Sequence, residues 1–125
     1  MVFINENLNP ANNKVGDCVV RAISKYLDQP WEKTYTDLCQ LGLEKSAMPN
    51  SKRVYEEYFK RHGLTYVTCS KIKKGSKRPR VADLAKKEHG IFIVANHLTV
   101  SNGTSFFDTW DCGDHCVYGY WQKIE

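Results

Sequence analysis

A chain of 125 residues and 14.4 kDa has length for one compact domain with one core and one active site, so a single domain over residues 1–125 is expected. With 42% hydrophobic and 26% charged residues and no long apolar run, neither a membrane span nor a mainly disordered chain is expected. The formal charge of +4 is local: Lys71, Lys73, Lys74, Lys77, Arg78 and Arg80 fall within one ten-residue stretch, and without these six, 12 basic residues face 14 acidic ones.

The first residues, MVFINENLNP, hold no basic region ahead of an apolar run, so no secretory signal is read there and a cytoplasmic, reducing setting is expected. Five cysteines leave at least one unpaired in any intramolecular scheme. In a reducing compartment such thiols serve as core fillers, metal ligands or nucleophiles.

Asp17 precedes CVVRAISKYLDQ, whose Val19, Val20, Ala22, Ile23, Tyr26 and Leu27 recur at helical spacing. Asp is a favoured N-cap, so a helix beginning at Cys18 is predicted. Pro30 opens a second helix through Trp31, Tyr35 and Leu38 that ends near Gly42. Pro49, Asn50 and Ser51 open a third, with Val54, Tyr55, Tyr58 and Phe59 on one face and Gly63 as its C-cap. A short strand at Leu64 to Cys69 follows.

The basic segment KIKKGSKRPR reads as a solvated loop, broken by Gly75 and Pro79. Its sharper reading is a contact surface for an acidic protein partner across Lys71 to Arg80. No aromatic residue interleaves with the charges, so nucleic acid is not expected. Val81 to Glu88 predicts a brief helix closed by Gly90. Beyond it the pattern turns to β-branched and aromatic residues: Ile91 to Ser101 and Thr104 to Trp110 flank Asn102-Gly103, the strongest short hairpin signal. Val117 to Ile124 predicts a last strand. Helices first and strands second give an α+β class, with N-terminal helices packed on a C-terminal antiparallel β-sheet.

If Asn102 and Gly103 form the two central residues of a tight turn, opposed residues carry numbers summing to 205, and His97 faces Asp108. Opposed residues share one face of an antiparallel pair, within reach of a carboxylate–imidazole bond. Cys18 lies at a helix N-terminus, where unsatisfied N–H groups and the helix dipole favour thiolate. Cys18 as nucleophile, His97 as acid and base, and Asp108 as orienting acid then form a hydrolytic triad. Asp111, three residues further on, is the alternative acid. The Cys18 N–H and a side-chain amide, Asn12 or Asn13, are candidate oxyanion donors.

GDCVVRAIS and HLTVSNGTSFFDTWDCGDHCVYGYW resemble the small papain-like cysteine peptidase domains of bacteria and bacteriophages. The resemblance implies the order Cys on an N-terminal helix, then His and Asp on the sheet, the places that Cys18, His97 and Asp108 occupy. The Asp-Cys dipeptide and the upstream amide are also similar to the peptidases that trim bacteriocin leaders. Those carry Gln six positions before the Cys, where this chain has Asn12. The resemblance implies hydrolysis of a peptide or isopeptide bond in a peptide or protein substrate, or acyl transfer by the same site, with no cofactor. The alternative is an inactive papain-like fold acting as a phage- or bacterium-encoded binding or inhibitory protein.

Cys112, His115 and Cys116 carry metal-binding side chains, but three ligands within five residues lack the separated pairs of structural zinc sites, so no metal is expected. Trp110, Tyr118, Tyr120 and Trp121 read as sheet and core packing.

Overall fold

A computed structural model describes residues 2–69 and 78–123. The chain is α+β, with four helices and a six-stranded mixed sheet among the described residues. Strand β1 (Phe3–Asn5) precedes helices α1 (Cys18–Leu27), α2 (Trp31–Lys45) and α3 (Lys52–Arg61). Then come β2 (Leu64–Thr68), the single turn α4 (Val81–Leu84), β3 (His89–Val94), β4 (His97–Asn102), β5 (Phe106–Asp108) and β6 (Gly119–Lys123). The sheet order is β1-β5-β4-β3-β6-β2. No helix among the described residues is long and apolar enough to cross a membrane.

The apolar stripe of α1 buries Val19, Val20, Ala22 and Ile23 against Leu38, Val54, Phe59, Ile91, Leu98, Val100 and Trp121. This is one core, between the helices and one face of the sheet. Alternate strand residues, Phe92, Val94, Phe106 and Tyr120, point the other way and pack with Val81, Ala85, Cys112 and Val117. The period of two along β3 thus divides Ile91 from Phe92 and builds two cores.

Several elements differ from the sequence reading. The sheet is mixed rather than antiparallel, because β1 pairs in parallel with β5; three residues running into the polar stretch from Asn5 carry too little pattern to announce a strand. Ile91 to Ser101 is two strands rather than one, since β3 and β4 form a hairpin in which Val94 opposes His97. Ala95 and Asn96 are its turn, and Asn96 takes the left-handed φ of 54° that Asn tolerates better than most residues. Helix α2 runs past Gly42 to Lys45. Gly42 is required there by close packing, because a Cβ would lie 2.7 Å from the Ala47 carbonyl oxygen. The helix predicted over Val81 to Glu88 is confined to Val81–Leu84, and Gly90 lies within β3.

The hairpin of β4 and β5 also turns one residue later than expected. Val100 opposes Phe107 and Ser101 opposes Phe106, so paired numbers sum to 207 and Gly103-Thr104 form the corner. Asn102 caps it instead: its Oδ1 accepts from the N–H groups of Thr104 and Ser105, both at 2.9 Å. Of the Lys71 to Arg80 segment, residues 71–77 lie outside the described residues. At its end the Arg78 guanidinium stacks over Tyr118, 5.1 Å from the ring centroid.

Candidate active site

Cys18 is the first residue of α1, and His97 the first of β4. The half-buried thiol meets the imidazole where the two elements begin, and the Leu98 N–H also donates to its sulfur. His97 Nε2 bonds Asp108 Oδ2 at 2.5 Å, which leaves Nδ1 as the ring nitrogen for the thiol. Asp108 is the last residue of β5 and only 1% exposed.

The His97 to Asp108 contact survives the shifted turn for a geometric reason. Moving a turn by one residue changes the paired sum by two, so every residue keeps its face. Continuing the observed register places Asp108 opposite Thr99, and His97 becomes its diagonal neighbour, a spacing that long side chains bridge. The expected direct opposition is therefore corrected to a diagonal one. Asp111, the alternative acid, is exposed and accepts the Gly113 N–H at 2.9 Å.

Charge runs through the site as a chain of bonds. Arg21, one turn beyond Cys18, donates from Nε to Asp17 Oδ1 at 2.8 Å and from Nη1 to Asp108 Oδ1 at 3.1 Å. Asp108 Oδ1 also accepts the Thr109 N–H at 2.8 Å. Asp17 holds the N-cap position, yet its side chain makes no capping bond. Its carboxylate is used by Arg21, by Trp31 Nε1 at 2.8 Å and by Asn9 Nδ2 at 3.4 Å. These donors, against the opposing effect of burial, hold Asp17 below the usual carboxylate range. The acid beside the thiol is thereby neutralised without occupying the helix N-terminus.

Burial disfavours both charged forms of the thiol–imidazole pair, and bonding overcomes it. For Cys18, burial raises the pKa, but the bonds from His97 and the Leu98 N–H bring it below the ordinary thiol value. For His97, burial lowers the pKa, while Asp108 together with Cys112 and Cys18 pushes it up to about 11. The arrangement favours thiolate beside imidazolium.

Cys112 joins the site in a way its sequence neighbours did not indicate. It is fully buried and donates to Asp108 Oδ2 at 3.5 Å, and burial pushes its thiol up, keeping the donor protonated. Cys116 is exposed and His115 packs edge-on to Trp110, so the zinc-like trio of the sequence is not gathered. The metal-capable donors gathered among the described residues are instead His97, Asp108 and Cys112, within 4.8 Å of one another, and they bond each other.

A cleft of about 710 Å³ opens over Cys18 and His97, a size suited to a few residues of extended peptide. One wall is the loop before α1 with Lys14, Val15 and Gly16; another is the start of α3 with Asn50, Lys52 and Tyr55. Ile93, Val94, Asn96 and Leu98 form the strand side, and Thr109 and Trp110 close the end. Trp110 is 42% exposed and its ring lies 4.9 Å from that of His97, whereas Tyr120 and Trp121 are core residues as expected.

The structure brings Cys18, His97 and Asp108 together and leaves the expected oxyanion amides apart from them. Asn12 and Asn13 are exposed and do not line the cleft. Asn12 sits at a left-handed φ of 57° in a turn closed by Asn9, to which its N–H donates at 2.8 Å. The cleft-lining amides are Asn50 and Asn96, whose places follow from the start of α3 and from a hairpin that the sequence did not reveal. No family model, curated protein or solved structure matches this chain.

Proposed function

We propose that this chain is a papain-like cysteine peptidase or related thiol amidase acting through an acyl-enzyme. The observation that carries this reading is the continuous bonded array of Cys18, His97 and Asp108 at the base of a cleft, with the thiol depressed and the imidazole raised. In the mechanism, the Cys18 thiolate adds to the carbonyl carbon of a bound amide. The Cys18 N–H at the start of α1 donates to the oxyanion, at the positive end of the helix. His97 then gives its proton to the departing amine as the C–N bond breaks, leaving a thioester on Cys18. Water, deprotonated by His97, adds to the thioester and expels the thiolate. An acceptor amine in place of water makes the same site a transferase. Asp108 keeps the imidazole oriented through both steps.

Alkylation tests the nucleophile directly. Iodoacetamide should modify Cys18 at least about tenfold faster than the other four cysteines and continue well below pH 8, as a stabilised thiolate requires. His97→Ala should abolish the preference. Equal reactivity of all five thiols would sink the reading. Electrophilic peptide and ubiquitin-like probes, compared between wild type and Cys18→Ala, then report which acyl group the site accepts.

A further inference from the structure

The charges lining the cleft are unbalanced. Asp17 is the one carboxylate there among the described residues, and it is already engaged by Arg21, Trp31 and Asn9. Lys14 and Lys52 both line it, one on the loop leading to Cys18 and one at the first residue of α3. Both are exposed, and neither has an acidic partner among the described residues. The N-terminus of α3 adds its own positive end beside Lys52. A concave surface lined by one sign of charge concentrates field and selects ligands of the other sign.

We infer that the cleft selects acidic peptide segments, with Asp or Glu side chains flanking the scissile amide and facing Lys14 and Lys52. This rests on the reading of Cys18 as the nucleophile. The partly exposed Ile93 side chain then holds the intervening residue, while the two lysines meet the carboxylates of its neighbours. A lysine- or arginine-rich substrate would meet like charge at Lys14 and Lys52 and no free carboxylate in the cleft.

Two measurements separate this inference from the peptidase reading. The first compares iodoacetate with iodoacetamide at Cys18 by peptide mapping, because the two reagents differ in charge and share their chemistry. The ratio of their rates should fall about fivefold in Lys14→Glu/Lys52→Glu and should fall with added salt in the wild type, as screening of exposed charge demands. A ratio unchanged by both would overturn the inference. The second uses matched peptidyl vinyl sulfones that differ only in Glu or Gln at the residues flanking the electrophile. The Glu probe should label Cys18 about tenfold faster, and the double variant should reverse the order; equal labelling, or faster labelling by the Gln probe, in the wild type would overturn the inference. A slow Cys18 that still shows the lysine-dependent iodoacetate preference would overturn the peptidase reading and leave the anion preference standing.

Discussion

Folding shifts the protons of His97 and Cys18 in opposite senses. His97 rises from 6.5 to about 11, chiefly through Asp108 and against burial. Alone it would stabilise the fold fully below pH 6.5 and lose that contribution as pH climbs toward 11, because the native state holds a proton that the unfolded state releases. Cys18 acts with the other sign: its native thiol ionises below the ordinary 9.0, so the native state has released a proton that the unfolded chain keeps. Where the native pair is thiolate with imidazolium and the unfolded pair is thiol with imidazole, the two states hold equal numbers of protons. Over that window, above both the native Cys18 pKa and the ordinary 6.5 of imidazole and below the ordinary thiol value of 9.0, this pair should leave stability flat. Cys18→Ala removes the compensating half, so its stability should decline with pH there by up to about 1.4 kcal/mol per unit. Urea unfolding at several pH values checks this, and parallel profiles for the two proteins would refute the ion pair.

At the level of elements, the two-residue turn between β3 and β4 sets where His97 starts. Asn96 holds a left-handed φ of 54°, which a β-branched residue adopts only at a cost. Asn96→Val should therefore lower stability by about 1–2 kcal/mol, whereas Asn96→Gly should be near neutral; thermal unfolding of both separates backbone strain from loss of the amide. This hairpin was hidden in the sequence because Ile91 to Ser101 is mostly apolar or β-branched and Asn96, with no Gly or Pro beside it, is the single turn signal at the corner. Helix α1 was legible, its 3.6-residue stripe and preceding Asp17 fixing Cys18 at the first turn. What Asp17 does there was not: it serves Arg21 and Trp31 rather than the helix end. The pairing of His97 with Asp108 was legible through face parity alone, which tolerates an even register error.

At the level of the whole molecule, Arg21 ties the helical layer to the sheet by bonding Asp17 and Asp108. Lysine cannot reach both carboxylates from one ammonium, so Arg21→Lys leaves a buried acid short of a partner and should cost about 3 kcal/mol. The same variant should lose the selective alkylation of Cys18. In the wild type, tryptophan fluorescence and far-UV circular dichroism should give one shared transition, as expected if Arg21 makes helices and sheet unfold together; two separated transitions in the wild type would show that Arg21 does not couple them. The i,i+4 spacing of Asp17 and Arg21 is visible in the sequence, but the reach from Arg21 to Asp108 spans 87 positions and leaves no local trace. The same is true of β1, which clasps the strand of the acid: Phe106 N–H donates to the Val2 carbonyl at 2.8 Å and Glu6 N–H to the Asp108 carbonyl at 2.9 Å. Cys18 is made long before His97 and Asp108 during synthesis, and β1, the neighbour of the strand of Asp108, is made before all three. The Cys18 sulfur meets His97 and the Leu98 N–H only once β4 has been made and packed against α1, so a nascent chain carries an ordinary thiol until a strand about eighty residues further on reaches it.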